Sequence, residues 1–476
     1  MSIMEPHSKR RRKHSQHEDQ NPVPMDRISD LTESVICHIL SFLRTKDSVR
    51  TSILARRWRY LWAYVLTLDL YCEEETVINR VLLLRKVQTL HTLRLNVDGC
   101  TEYGLETWIV FAITHGLQKL DLYLMDQEIL PACLFTCKTL VDLRLHSCGP
   151  IPMDGPMFLP RLKKLQLIRV EYEADESLPY LISCCPVLEE LLVQLFTDMA
   201  SCNVSSPTVK RLTVDFYFFD GDRAGCDMLE INTPALEYLK IAYSFCDHIK
   251  CGVATSLIEA DISFHDEDDN LSARSLVEFV HVLCAVQCLT LDLSYFTEVL
   301  LSSFDLSWGS LSVFVSNGKS LYISLQMIDP VLSGWTKSFR NLTKLKLTAD
   351  CRFLLKFLEN ANNLEILHFS ASCDEKKGST EPPEQVPKCL LSHLRIIKVV
   401  KIEGKKHEFE IIRYLLRNTQ VLEKMDIEYA QCLASEEDIS TLKKTISPFQ
   451  RERGSAACEV AFAPFREEEV VEVEDE

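Results

Sequence analysis

A short motif of apolar positions recurs along most of the chain. Its unit is an apolar residue, two variable residues, a second apolar residue, one variable residue and a third apolar residue. Successive copies begin mostly 21 to 30 residues apart, and the stretch 292–341 is less regular. Clear copies begin at Leu90, Leu117, Leu140, Leu162, Leu188, Val209, Leu236, Val286, Leu342, Leu364, Leu394 and Leu422, and a degenerate copy begins at Leu257.

This spacing predicts a stack of repeats. The last two apolar positions, two residues apart, point to the same side of a short strand, and the first lies in the turn before it. One unit buries too little surface by itself, so units stack strand beside strand and share a continuous core. We therefore predict an α/β solenoid over residues 76–380, with a strand and a helical return in each repeat. The number of copies disfavours the alternative, an unrelated α/β domain with leucine-rich strands.

Residues 25–68 carry a different, helical pattern. Three short apolar stripes are separated by polar residues, and the last contains Trp58, Leu61 and Trp62 at i, i+3 and i+4. A segment of about 40 residues is near the lower limit for an independent core. Its surplus apolar surface therefore packs on the rest of the chain or meets another protein. The first two stripes consist of Val35, Ile36, Ile39, Leu40 and Leu43, then Val49, Ile53 and Leu54.

These residues resemble the F-box of the large plant F-box family, and the resemblance covers the whole motif. The family usually has a proline where this chain has Thr32, at the entrance to the first helix. The matching segments are Asp26-Arg27-Ile28-Ser29-Asp30-Leu31, Ile39-Leu40-Ser41-Phe42-Leu43, Thr45-Lys46, and Thr51-Ser52-Ile53-Leu54-Ala55-Arg56-Arg57-Trp58-Arg59-Tyr60-Leu61-Trp62.

The segment 385–465 has its own order of elements, after a polar and proline-containing stretch that predicts a loop or linker. A strand pattern, a turn at Gly404, a helical pattern and a second strand pattern follow one another. The last strand is predicted over 458–462. This order resembles the FBD domain that often ends plant F-box/leucine-rich-repeat proteins. We interpret the segment as strand–helix units that continue and close the solenoid.

Charge limits the classes of partner. The chain has 476 residues and a net charge of -17, which argues against general binding to nucleic-acid phosphates. The acidic tail 466–476 and the polar arm 1–24 are predicted to be disordered. The arm contains a basic run that is either a nuclear localisation signal or a solvated arm, so the expected location is the nucleus and/or the cytoplasm. That run is Lys9, Arg10, Arg11, Arg12 and Lys13.

Nothing in the sequence indicates catalysis. The nucleotide-binding, nucleophile-elbow and zinc-protease motifs are missing, so we expect no catalytic residues, no cofactor and no metal. The 19 cysteines form no CxxC pair, and buried reduced thiols are the better interpretation. The acidic run 266–270 begins like a calcium loop but has Leu271 at the position that requires glycine. The chain has no apolar run long enough for a membrane helix.

The family resemblance implies a substrate-recognition subunit of an SCF-type cullin–RING ubiquitin ligase. The F-box would bind a Skp-family adaptor, and through it a cullin, while the repeats would bind an unknown target protein for ubiquitination. The alternatives are a protein-binding scaffold or a small-ligand sensor outside any ligase. The residues expected to contact the adaptor are Ile28, Leu31, Val35, Ile39, Leu43, Trp58, Leu61 and Trp62, with Trp58 and Trp62 as expected hot spots.

Overall fold

The computed structural model describes residue 28 and most of residues 31–466. Within that range it leaves out 98, 125–129, 196–198, 217, 220–221, 224–225, 245, 253–254, 265–278, 280–281, 293–338, 350, 372–384, 434 and 452–457. The predictions for the basic arm, the acidic run 266–270, the linker before 385, the acidic tail from 467 and most of the irregular interval lie outside the described residues. The chain divides into two compact units, Met1–Val65 and Leu66–Glu476.

The first unit is helical. Its first helix follows Thr32, which is extended at the N-cap position, and Glu33 places a negative charge in the first turn, where the helix dipole favours it. The third apolar stripe forms a 3-10 helix rather than an α-helix. The elements are α1 (Glu33–Leu40), α2 (Thr45–Arg50) and 3-10 helices at Thr51–Ile53 and Trp58–Tyr64.

The second unit is built on strands. In chain order these are β1 (Thr67–Tyr71), β2 (Thr92–Val97), β3 (Lys119–Leu124), β4 (Asp142–His146), β5 (Lys164–Ile168), β6 (Glu190–Leu195), β7 (Met199–Ser205), β8 (Arg211–Phe216), β9 (Phe218–Phe219) and β10 (Asp222–Arg223). They continue as β11 (Cys226–Asn232), β12 (Tyr238–Ser244), β13 (Cys246–Cys251), β14 (Glu259–Phe264), β15 (Cys288–Asp292), β16 (Lys344–Ala349), β17 (Ile366–Ala371), β18 (Ile396–Ile402), β19 (Lys424–Tyr429) and β20 (Glu459–Pro464).

Fifteen of the described strands form one parallel sheet in which neighbours in space follow chain order, apart from β7, β9 to β11 and β13. Its register aligns equivalent motif positions, so that Leu93 lies opposite Leu120 and Leu95 opposite Leu122. All three apolar positions of every copy, the degenerate one included, are at most 3% exposed. The predicted solenoid is therefore confirmed, with one continuous core along the stacked strands.

Helices make the return at both ends of the second unit. The N-cap hydroxyl of Thr101 accepts a hydrogen bond from the Gly104 amide, and the Glu408 carboxylate accepts one from the amide of Lys405. The described return helices are α3 (Glu75–Leu84), α4 (Glu102–Thr114), α5 (Ser177–Ser183), α6 (Cys351–Asn360), α7 (Lys388–Ser392), α8 (Lys406–Asn418) and α9 (Glu436–Arg451), with 3-10 turns at Ala132–Thr136 and Gln431–Leu433.

In the centre of the solenoid the return is a strand, whereas the sequence predicted a helical return in every repeat. Strands β7, β11 and β13 pair in parallel as a second sheet in the order β13–β11–β7. Their inward-facing residues, all buried except the half-buried Cys251, repeat the spacing of the main motif, and all three copies are in register. The three copies are Met199/Cys202/Val204, Cys226/Leu229/Ile231 and Cys246/Ile249/Cys251.

The main sheet extends beyond the predicted repeat segment at both ends. Strand β1 precedes residue 76 and pairs along its whole length with β2. At the other end β20 pairs with β19, which confirms that the FBD-like segment continues and closes the same sheet. The last predicted strand, 458–462, is observed as Glu459–Pro464.

Candidate functional site

Helix α1 is apolar on two faces. Ile36 and Leu40, four residues apart, are buried in the first unit. Val35 and Ile39 have the same spacing but lie on another face, where they are 42% and 41% exposed. A helix that is apolar on more faces than its own unit covers requires an additional contact to bury the remainder.

The core of the first unit is small and closed. Ile36, Leu40, Trp58, Leu61 and Val65 form it, with three partly buried neighbours around them. The Cys37 thiol donates a hydrogen bond to the Leu61 carbonyl at 3.6 Å, and this joins α1 to the second 3-10 helix. Burial, and secondarily the nearby Glu33, raises the pKa of Cys37, so its thiol stays protonated at neutral pH.

The structure divides the eight residues expected to contact the adaptor. Trp58 and Leu61 lie in the core, with Trp58 only 6% exposed. Leu31 and Trp62 are half-buried. The four with exposed side chains are Ile28, Val35, Ile39 and Leu43.

Exposed apolar residues outside the expected set complete the surface. Phe42, in the turn after α1, is 76% exposed, and its ring meets that of His38 edge to face at 4.9 Å. Ile53 is 88% exposed, and Leu54 beside it is also exposed. The second apolar stripe of the sequence contained this pair, but spacing alone did not show that it faces outward. We call Val35, Ile39, Phe42 and Leu43 the α1 ridge.

The threonine that replaces the family's proline keeps a proline-like backbone. Thr32 has a φ of -67°, which is the value that a proline ring imposes. Its hydroxyl lies 3.0 Å from the Ser34 hydroxyl. Arg57 donates a hydrogen bond to the Leu31 carbonyl and so ties the entrance of α1 to the segment before the second 3-10 helix.

Polar side chains cover the exposed face of the main sheet. At the strand position between the two buried apolar residues, Asp69, Arg94, Asp121 and Arg144 lie side by side in register. Arg94 contacts Asp69 at 3.3 Å, and Arg144 contacts Asp121 at 3.9 Å. These four strands therefore present a row of alternating negative and positive charges.

The same face carries ion pairs and rings at the other exposed strand positions. Lys119 contacts Asp142 at 3.7 Å on the neighbouring strand. Tyr123 stacks on His146 with ring centroids 4.3 Å apart. A surface of this kind can recognise a protein by charge and shape. Among the residues that the structure describes, no cluster of His, Cys, Asp and Glu could hold a metal ion.

No described helix combines the length and the apolar character that crossing a membrane requires.

Three family models match this chain. The F-box domain model matches residues 28–67, the model for LRR repeats of FBD-associated F-box protein At5g56370 matches 105–261, and the FBD model matches 381–427. The first match contains the α1 ridge, and the second contains both helical and strand returns. All three fall in the order predicted from the sequence.

Curated relatives match along almost the whole length. F-box/LRR-repeat protein At4g14096 of Arabidopsis thaliana is 30% identical over 477 residues, which cover 91% of this chain and 94% of the relative. F-box/FBD/LRR-repeat protein At4g26340 of the same plant is 29% identical over 420 residues, covering 84% and 91%. FBD-associated F-box protein At5g60610, also from Arabidopsis thaliana, is 28% identical over 431 residues, covering 85% and 100%. The chain therefore belongs to the F-box/FBD/LRR-repeat protein family.

Proposed function

We propose that this protein is the substrate-recognition subunit of an SCF-type cullin–RING ubiquitin ligase and performs no catalysis itself. Its F-box binds a Skp-family adaptor, which connects it to a cullin, and its repeats bind a target protein for ubiquitination. The observation that carries the proposal is the α1 ridge, an exposed apolar surface on a unit whose own core is already complete.

The ridge has the composition of a protein-binding surface. Its four residues are apolar and uncharged, and Phe42 is a ring that can fill a pocket. Leaving such side chains in water is unfavourable by about 25 cal/mol per Å² of apolar surface, and a partner that covers them recovers this free energy. Exposed Ile53 and Leu54 supply further apolar surface in the same unit.

The eight expected contact residues take different roles in this proposal. Ile28, Val35, Ile39 and Leu43 touch the adaptor, together with Phe42. Leu31 and Trp62, both half-buried, border the contact. Trp58 and Leu61 act indirectly, because they hold α1 in place from inside the core.

The repeats supply target recognition. The exposed strand face presents mainly charged and polar side chains, including the paired Asp69 and Arg94. Holding a target beside the ubiquitin-charged enzyme raises the effective concentration of the reacting groups, so the contribution of this subunit is proximity and orientation.

The test is co-purification of the full chain with a Skp-family adaptor and a cullin. We expect the unmodified chain to retain both, and the double variant Val35→Glu/Ile39→Glu to lose both because two charges would have to be buried. The matched control is Leu83→Glu on α3, where the leucine is 85% exposed. Circular dichroism of each variant checks that the fold is intact.

Two outcomes contradict the proposal in different ways. Retention of the adaptor by a folded double variant would show that the adaptor contacts a surface other than the α1 ridge. Failure of the unmodified chain to bind any adaptor would favour a scaffold or a small-ligand sensor outside a ligase.

Nuclear import is a separate proposal, supported by the basic run from Lys9 to Lys13. A fluorescent fusion of the full chain should enter the nucleus, and replacing the five residues by alanine should leave it in the cytoplasm. An unchanged distribution would make the run a solvated arm.

A further inference from the structure

Two thiols meet in the second, three-stranded sheet. Cys226 begins β11 and Cys246 begins β13, and their Cα atoms are direct partners in the parallel ladder. Their Sγ atoms lie 2.8 Å apart, and both side chains are buried. Parallel neighbours are spaced about 4.8 Å apart, which is inside the Cα–Cα range of about 4.4–6.8 Å that a disulfide accepts.

We propose that Cys226 and Cys246 are a redox modification site at which a hydroperoxide forms an intrachain disulfide. One thiolate attacks the O–O bond of hydrogen peroxide, giving a sulfenic acid and hydroxide, which takes up a proton and leaves as water. The second thiolate attacks that sulfur, forms the S–S bond and displaces a second hydroxide. Together two thiols and one peroxide give one disulfide and two waters.

Register singles out this pair from the other cysteines of the same sheet. Both residues occupy the first apolar position of the return-strand motif, the position that Met199 holds on β7. Cys251 lies opposite Ile231, and Cys202 lies opposite Leu229, so neither is the ladder partner of a cysteine. The pairing therefore follows from the stacking of the return strands.

The surroundings explain how the pair persists as thiols. The hydrogen bond with Cys246, together with burial, raises the pKa of the Cys226 thiol. Since the thiolate is the reactive form, the folded pair should react slowly and only with a small oxidant. Among the described strands, β13 is at the edge of its sheet, so local opening there can admit peroxide.

The disulfide would join two consecutive repeats. Strand β11 lies between β8 and β12 in the chain, and β13 lies between β12 and β14. A bond between them closes a loop with a sequence separation of 20 residues and restricts the unfolded chain. It would fix the spacing of β11 and β13 in the return sheet. This inference does not depend on the proposed ligase role.

The experiment treats the native full chain with hydrogen peroxide, blocks remaining thiols under denaturing conditions and maps the peptides by mass spectrometry. We expect one cross-linked peptide pair containing Cys226 and Cys246, lighter by two hydrogen atoms and reversed by dithiothreitol. The oxidised chain should melt several degrees higher than the reduced chain.

Two cysteine variants of the same chain serve as controls. Cys251→Ala, in the same strand as Cys246, should still form the cross-link, whereas Cys246→Ala should not. Because the unmodified chain alone identifies the bonded pair, a variant that fails to fold does not decide the test. Oxidation confined to the exposed Cys72 and Cys432, or a disulfide between other cysteines, would overturn the inference.

Discussion

The two units differ in how completely they cover their apolar residues. The repeat unit buries every motif position in one continuous core and shows polar rows outward. The F-box unit has a core of five residues and leaves residues such as Ile39 and Phe42 exposed. In the repeats, the apolar spacing therefore marks residues that are buried in the core. In the F-box it marks both core residues and residues of the proposed docking surface, and only the structure separates the two.

Trp58→Ala should break the F-box unit. Removing a large buried side chain from a core of five costs about 3–5 kcal/mol, which is close to the whole stability of so small a unit. We expect loss of the F-box helices in hydrogen exchange and loss of adaptor binding. Arg56→Ala, an exposed neighbour, should leave both unchanged. A folded Trp58→Ala variant that fails to bind would instead make Trp58 a direct contact.

Leu143→Ala should weaken the repeats without abolishing adaptor binding. The side chain is fully buried on β4, so its truncation costs about 2–5 kcal/mol in a much larger core. The matched control is Leu192→Ala, because Leu192 is half-buried on the opposite face of β6, two strands along the same sheet. Urea titration should give a clearly lower midpoint for the first variant only. Equal midpoints would contradict the assignment of sheet faces.

Arg94→Ala should change the stability of the repeats by less than about 1 kcal/mol. Its ion pair with Asp69 at 3.3 Å is exposed and screened by salt. The charged sheet face is then available for target recognition at little cost to folding. A loss of several kcal/mol in denaturant titration would show that these charges serve the fold instead.

Thr32→Pro is expected to have the smallest effect, and it should stabilise. The backbone at Thr32 already has a proline-like φ, so the substitution mainly restricts the unfolded chain, by about 0.4–1 kcal/mol. Adaptor affinity should stay the same or rise slightly in calorimetry. Weaker binding would mean that the threonine hydroxyl, which meets Ser34, has a role of its own.

The repeat strands were predicted well from the sequence because the burial of their apolar residues alone determines where they form. The spacing of Leu90, Leu93 and Leu95 fits one turn and one strand, and all twelve clear copies behave alike. The strand returns were missed although β7, β11 and β13 carry the same spacing. The copies on these return strands lie between copies of the main motif. The repeat length alone does not determine whether the return is a helix or a strand.

The candidate site could be predicted only in part. Val35 and Ile39 have the same spacing on α1 as Ile36 and Leu40, and periodicity gives no reason to place one pair outside. Which pair is buried depends on where Trp58 and Leu61 pack, and this is determined by the tertiary structure. Four of the eight expected contacts are exposed, and Phe42 and Ile53 lay outside that set.

The central claim is that the α1 ridge binds the adaptor while the core holds its shape. The most direct measurement is the calorimetric affinity of Ile39→Ala for a purified Skp-family adaptor, with the unfolding midpoint taken on the same sample. We predict an affinity loss of at least about fivefold, roughly 1 kcal/mol, with an unchanged midpoint. Full affinity in Ile39→Ala and in Phe42→Ala, both folded, would contradict the account.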